Sequence, residues 1–545
     1  MLRITEIKLP LDHPEDALKS AILKKLQISA DDLISYSIFK RSYDARKKTD
    51  IYLVYIVDVE TTQEQKLSDR FQKDPHVKPT PDMSYQYVAK APTNFADNLA
   101  NRPIVIGMGP AGMFAGLMLA QMGFRPIILE RGKAVRDRTA DTFNFWKGRA
   151  EFNPESNAQF GEGGAGTFSD GKLYSQVKDP QHYGRKVLNE FVNAGASSEI
   201  LYINKPHIGT LKLVGIVQSF RAQIEALGGE IRFQSRVEDI DIQDGKARGV
   251  KLANGEYIAS NHIVLAVGHS ARDTFQMLSD RGVYIEAKPF SIGFRIEHPQ
   301  DLIDRARFGD YAGNKTLGAA DYKLVHHCQN GRSVYSFCMC PGGLVVAATS
   351  EVGHVVTNGM SQYSRNERNA NSGIVVGITP DDYPAHPLAG IDLQRRLESR
   401  AFELGGGTYA APAQLVGDFL ADRPSQNLGK VHPSYGPNIH LCDLSESLPD
   451  YAIAAIREAL PAFNKQINGF AMDEAMLTGV ETRTSSPIRI KRNDNYQSLN
   501  VEGLFPTGEG AGYAGGILSA GIDGIKVAEA VALSIYRPWV GSILI

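Results

Sequence analysis

The chain has 545 residues, 43% apolar and 22% charged, which excludes one small core and suits a soluble protein of roughly three or four domains. Lysine plus arginine (59) nearly matches aspartate plus glutamate (61), so no global charge draws the chain to nucleic acid or an acidic membrane. No apolar run is long enough to span a bilayer, Met1–Lys19 has no signal-peptide stretch, and four cysteines make no disulfide framework, which together read as cytoplasmic.

In chain order, residues 1–95 read as a small α+β domain. Arg3–Leu9 alternates like a strand, and Pro14–Leu26 has proline and two acids in its first turn, as a helix start does. Further strands are predicted at Ile34–Phe39 and Ile51–Val59, separated by the basic run Lys40–Lys48. Tyr43 and Asp44 interrupt that run, which reads as a solvated hairpin with phosphate or RNA contact as its alternative. A polar, proline-containing stretch from Lys73 to Asn101 reads as a linker.

From Pro103 the pattern becomes β-α-β. Ile104-Val105-Ile106 suits a strand buried on both faces, and the turn Gly107-Met108-Gly109-Pro110-Ala111-Gly112 opens a helix. Gly107 permits the tight turn, Gly109 lets backbone approach a pyrophosphate, and Gly112 lets the helix sit close on the sheet. The helix N-terminus offers unpaired N–H groups to phosphate. The second strand, Pro126–Leu129, ends in Glu130, a carboxylate placed to accept from ribose hydroxyls, with Arg131 beside it. Two other segments match the glycine pattern. Gly161–Gly166 lacks a strand before it and a helix after it, and Gly510–Gly515 is followed by too little chain for a second nucleotide domain. Leu211–Leu227 reads as a helix, and Glu230–Val267 as β-rich, with turns at Asp244-Gly245 and Asn254-Gly255. Residues 286–480 mix strands, glycines and polar loops without a clear period, and Leu504–Ser534 again runs strand, glycine turn, helix.

The unit Gly107–Glu130 resembles the FAD-binding start of the glutathione-reductase-like flavoproteins. The chain is similar to that group in three later places: Arg236-Val237-Glu238, His262–Gly268, and the closing segment Gly503–Glu509, where Glu replaces the usual Asp. Three segments narrow the likeness to uncharacterised bacterial FAD-dependent dehydrogenases: Phe160–Lys172, Phe337–Gly343 and Glu481–Pro487. The resemblance implies non-covalent FAD, with Val237 near the adenine, Ala266 and Gly268 along the cofactor, and Gly508 and Glu509 on the ribityl chain. Backbone at Gly163, Gly164 and Gly166 would approach the cofactor closely, and Thr167 and Ser169 would donate to it. A helix starting at Gly516 and Ile517 would aim its N–H groups at the charge that flavin reduction creates.

Other candidates leave alternatives open. Cys338 and Cys340 would share one face of a strand, either as a redox pair beside the flavin or as small buried residues. His269 is near the cofactor or structural, and His326-His327-Cys328 lacks a second cluster at zinc spacing, so no metal is expected. Arg483, Thr484 and Ser485 are candidates for the cavity wall on resemblance alone.

The expected architecture is α/β. A small α+β (ferredoxin-like) domain at 1–95 precedes a Rossmann-type FAD domain at 96–285 and 481–545, split by a substrate or cap domain at 286–480. The expected activity is hydride transfer between an unidentified small molecule and FAD, with NAD(P)H the candidate transient reductant and no catalytic residue assigned. The alternative is a nucleic-acid- or protein-binding flavoprotein that uses the N-terminal domain for recognition. No feature specifies an oligomeric state.

Overall fold

The computed structural model describes residues 1–93, 95 and 102–543; the expected domain boundary at 95/96 adjoins residues outside that range. The N-terminal unit runs Leu2–Pro10, Ala17–Leu26, Leu33–Asp44, Tyr52–Thr61, Glu64–Arg70, Val77–Pro79 as β-α-β-β-α-β. Its antiparallel sheet runs in the order Leu33–Asp44, Tyr52–Thr61, Leu2–Pro10, Val77–Pro79, the order of a ferredoxin-like fold with the first and third strands central. Alternating apolar residues of Tyr52–Thr61, including Leu53, Tyr55, Val57 and Val59, face Leu18, Ile22 and Leu26 of the first helix.

Two details differ from the sequence reading. Val77–Pro79 lies within the expected linker but closes the N-terminal sheet by pairing with Leu2–Ile4. The basic run does form a hairpin, exposed at its tip from Arg46 to Lys48 as expected but packed along its strand half. Arg41 pairs with Tyr202 and Asn204 through its backbone, Tyr43 meets the Phe308 ring edge-on at 5.6 Å, and Arg46 is tied to Asp44.

The Rossmann-type sheet is parallel throughout, in the order Leu504–Pro506, Ile263–Leu265, Ile104–Ile106, Ile127–Leu129, Glu230–Arg232. Helix Pro110–Gln121 is buried from Ala111 to Ala120, because it lies between the sheet and two other helices, Thr210–Ala226 and Ile517–Ile543. A three-stranded antiparallel sheet (Val237–Gln243, Lys246–Leu252, Tyr257–Ala259) turns at Asp244-Gly245, where φ is +50° and +72°, as a tight hairpin requires.

The chain leaves this domain along Ile285–Ala287 and returns along Ile488–Ile490, and these two strands pair antiparallel. Between them lies an eight-stranded sheet backed by helices Ala389–Leu404 and Asp450–Asn464. Its long strand Ser333–Ala347 is bulged twice, between Phe337 and Cys340 and again before Gly343. Among the described residues, no helix is long and apolar enough to cross a membrane.

Candidate functional site

The parallel sheet ends in a crevice roofed by the cap. A cavity of about 360 Å³ runs along it, from Leu129, Glu130 and Val237 at one end to Phe337, Cys338 and Asn358 of the cap at the other. Its position, outside the carboxyl ends of the parallel strands, is where open α/β sheets bind ligands.

The glycine turn has the geometry its pattern implies. Gly107 has φ +96°, and a Cβ there would lie 2.5 Å from the Ala266 carbonyl oxygen. At Gly112 a Cβ would fall 2.0 Å from the Gly107 oxygen, so this glycine serves helix–turn packing. Gly109 is different. Its backbone is extended (φ −75°, ψ −178°), and the nearest atom to a Cβ would be Gly164 Cα at 3.7 Å. Nothing in the protein demands glycine there, whereas a phosphate drawn to the helix N-terminus does. The same holds for Gly516, which opens the last helix with nothing within 4 Å of a Cβ. Two helix N-termini, at Gly109–Ala111 and Gly516–Ile517, thus border one cavity that has room for a ligand beside each, and a dinucleotide fits this cradle.

Of the residues expected at the cofactor, Gly107, Gly109, Pro110, Ala111, Glu130, Arg131, Gly164, Gly166, Ser169, Val237, Ala266, Gly268, Glu509, Gly516 and Ile517 line the cavity. Gly112, Gly163, Thr167 and Gly508 stand behind its wall. Gly163 donates its N–H to the Met108 carbonyl, and Gly508 donates to Asp523, which Arg492 and Thr507 also hold. Ser169 lines the cavity, but its hydroxyl is committed to Gly166 O and Gly171 N.

Glu130 also has local work. Its carboxylate accepts backbone N–H groups from Met108 (2.9 Å), Gly132 (2.9 Å) and Gly161 (3.0 Å), tying the glycine turn to the Gly161–Gly166 loop. A carboxylate offers about four acceptor positions, so about one is left for a ribose hydroxyl. Arg138 organises the same loop from inside. It is fully buried and donates to the carbonyls of Asn157, Ala158, Gly161 and Glu162, and burial lowers its pKa to about 10. Nothing local in the sequence marked Arg138, since a lone arginine on a polar helix reads as surface.

At the cap end, Arg483 and Thr484 line the cavity beside His269 and Ser270. Arg483 donates to Glu398 (3.0 and 2.7 Å), Ser270 (3.0 Å) and Ser350 (2.6 Å). Arg272 reaches the other side of Glu398 (2.9 and 2.6 Å) and also Glu351, which Arg395 holds too. Three guanidiniums against two carboxylates leave this cluster one net positive charge, and Arg483 is its member on the cavity. Burial first, and then Arg483 and Arg272, push the His269 imidazole down to about 3, so it is neutral at physiological pH.

Glu509 is half-buried at the cavity, and burial pushes its carboxyl up to about 7, with Lys288 pulling against that rise. A ribityl hydroxyl is held more strongly by the charged carboxylate than by the neutral acid. If Glu509 holds the ribityl chain, as the family resemblance implies, FAD affinity should rise several-fold as pH increases through about 7. Titrations of apoprotein from pH 5.5 to 8.5 would measure this, and Glu509→Gln should flatten the profile. An unchanged profile in the variant would remove Glu509 from the ribityl contact.

Away from the cavity, His326, Cys328 and Glu458 come together with their ligand atoms within 4.8 Å of one another. Sequence spacing could not show this, because Glu458 arrives on a distant helix, where it already pairs with His326 (3.0 Å) and the Gln329 N–H (3.1 Å).

Comparisons with known proteins give the family. A family model for FAD dependent oxidoreductases matches residues 206–360, and one for the C-terminal domain of FAD-dependent proteins matches 289–484. A third, a domain of unknown function, matches 1–60. With the fold and the cradle, these make the protein an FAD-dependent oxidoreductase. It belongs to the same family as an uncharacterized protein of Clostridium beijerinckii, 48% identical over 532 residues, which cover 97% of this chain and 98% of that one. Solved flavoenzymes overlap more loosely. The quinol fumarate reductase FrdA of E. coli has a TM-score of 0.35 at 12% identity, covering 80% of this chain and 71% of that one. A 3-ketosteroid-delta4-(5alpha)-dehydrogenase of Rhodococcus jostii has a TM-score of 0.33 at 12% identity, covering 82% of this chain and 100% of that one.

Proposed function

We propose that the organic substrate and a nicotinamide use the same cap-side end of the cavity in turn. The observation that carries this is the continuity of the cavity, from Glu130 and Val237 to Phe337, Cys338 and Asn358. Among the described residues one sheet is parallel throughout, the one that carries the Gly107–Gly112 turn, so a nicotinamide has no second nucleotide-binding sheet of its own. Bound FAD supplies two-electron redox chemistry, and the protein supplies position, electrostatics and exclusion of water. Arg483 and its partners place a net positive charge at the wall, which suits an anionic group on the ligand. Neutral His269 can donate or accept one hydrogen bond there without adding charge. The placing of Gly109, Glu130 and Glu509 along the cavity supports a cofactor site of the glutathione-reductase-like pattern.

Anaerobic stopped-flow spectroscopy tests the reading. NADH, NADPH and a panel of hydroxy acids, amines and enones are screened for bleaching of the holoenzyme's flavin. Donor carbon and flavin must approach to about 3–3.5 Å, so a compound that occupies the cavity should slow nicotinamide reduction competitively. Rapid, saturable reduction by NADPH at any concentration of an active compound would overturn the shared site.

A further inference from the structure

Cys338 is the thiol that lines the cavity, and Cys340, two residues on, is fully buried behind it. Neither is absorbed by cofactor binding. The strand carrying them is distorted at this point. Phe337 pairs with Gly373 and Cys340 with Asn371, so three steps on one strand match two on its neighbour. Cys338 takes the left-handed conformation (φ +44°) that this bulge requires. On a regular strand, residues two apart stand about 6.6 Å from each other, near the upper limit of the roughly 4.4–6.8 Å that a disulfide spans. The bulge breaks that regular spacing, and the Cys340 thiol points back at its neighbour, donating to the Cys338 carbonyl at 3.3 Å.

Buried cations hold this segment. Lys172 lines the cavity and donates to the Met339 carbonyl, between the two cysteines. Arg295, wholly buried, donates to the Cys338 carbonyl (3.1 Å) and is itself fixed by Glu481 (2.9 Å) and Asn371 (2.8 Å). A hydrogen bond from Cys340, with Lys172 and Arg295 near, lowers the Cys338 thiol pKa, while Cys340 is raised. An accessible thiol inclined to ionise, backed by a buried one, is the arrangement of an attacking and a resolving cysteine.

We propose that Cys338 and Cys340 form a redox-active dithiol–disulfide couple in the cavity wall, with a low-molecular-weight disulfide as its exchange partner. Cys338 sulfur attacks one sulfur of the incoming disulfide, whose S–S bond breaks and releases one thiol. Cys340 sulfur then attacks Cys338 sulfur, the mixed disulfide breaks, and the second thiol leaves. The two cysteines are oxidised by two electrons, the external disulfide is reduced by two, and the two cysteine protons end on the released thiols. This couple goes beyond hydride transfer and does not depend on its direction. It places a second two-electron centre on the cavity that holds the cofactor.

The test uses the holoenzyme and glutathione. Reduced protein, freed of reductant, is equilibrated anaerobically in glutathione buffers of rising oxidised fraction, quenched in acid, alkylated and digested with trypsin. Residues 333–365 form one tryptic peptide carrying both cysteines, while Cys328 and Cys442 fall in separate peptides. Peptide 333–365 should convert reversibly to a form two hydrogens lighter that takes no alkyl group, and the other two cysteines should stay alkylated. Cys340→Ser should instead accumulate one glutathione on Cys338, and Cys338→Ser should acquire none on Cys340 in the same time. A wild-type peptide still doubly alkylated in the most oxidising buffer, or carrying only glutathione, overturns the couple. Equal glutathionylation of the two single variants overturns the assigned roles.

Discussion

Gly109→Val is expected to leave a folded apoprotein that no longer retains FAD, whereas Gly112→Val is expected to damage the fold itself. Both positions belong to one glycine pattern, and the sequence alone cannot separate them. The surroundings do. A side chain at Gly112 would collide with the Gly107 carbonyl at 2.0 Å, backbone that cannot move without dismantling the turn. Overpacking of this kind costs about 3 kcal/mol or more. A side chain at Gly109 meets only Gly164 Cα at 3.7 Å, in a conformation open to any residue. Replacing glycine at this helix N-cap should change apoprotein stability by no more than about 1 kcal/mol. The valine would instead fill the space from which a pyrophosphate reaches the helix N–H groups. Loss of that contact should weaken FAD binding by about 4 kcal/mol, roughly a thousandfold. Flavin content after purification and urea unfolding of the apoprotein measure the two effects separately. A Gly109→Val protein that stays fully yellow would mean that the pyrophosphate lies elsewhere.

The nucleotide domain was legible because its signal is local. Strand, turn, helix, second strand and terminal Glu130 all fall within residues 104–130, and each leaves its own period or residue type. The N-terminal strands were legible for the same reason, except Val77–Pro79, three residues with a proline inside a polar run. The cap resisted because its long strand Ser333–Ala347 is bulged twice, and each bulge resets the alternation that would announce a strand. Its neighbour Asn369–Ile378 is buried on both faces, with Asn369, Asn371 and Ser372 among the buried residues, so apolar and polar positions do not alternate. The site was legible where glycines or a family pattern marked it. It was not legible where distant single residues converge. Asn358 reaches the cavity from the cap with no motif around it, and Glu398 meets Arg483 across 85 positions.

That last convergence carries the second large effect. Glu398→Ala is expected to destabilise the protein by about 3–5 kcal/mol and to reduce its flavin content, because it leaves two buried guanidiniums without their shared partner. Arg272 and Glu398 are almost wholly buried, and Arg483 is nearly so, so water cannot replace the lost carboxylate. The residues involved join helix Arg272–Asp280 of the nucleotide domain, helix Ala389–Leu404 of the cap, and the returning segment at Thr482–Arg483. Loosening this junction also frees Arg483 from the cavity wall. The acid side of the stability profile provides an independent check. Burial alone would raise the Glu398 carboxyl, yet Arg272 and Arg483 hold it well below the usual carboxylate range. Glu351 is likewise raised by burial but pulled down to about 2 by Arg395 and Arg272. Carboxylates lowered in the folded state contribute stability that is complete above their unfolded pKa, about 4.3, and is lost as pH falls through the folded values. Wild-type stability should therefore decline between about pH 4.5 and 2. The decline should be shallower in Glu398→Ala, which has already lost the pair that titrates. Urea unfolding at pH 7 and at pH 3 would measure both slopes. If the wild type and the variant fell in parallel over that window, Glu398 would not be the charged keystone of this junction, and the variant's loss at pH 7 would have to come from packing alone.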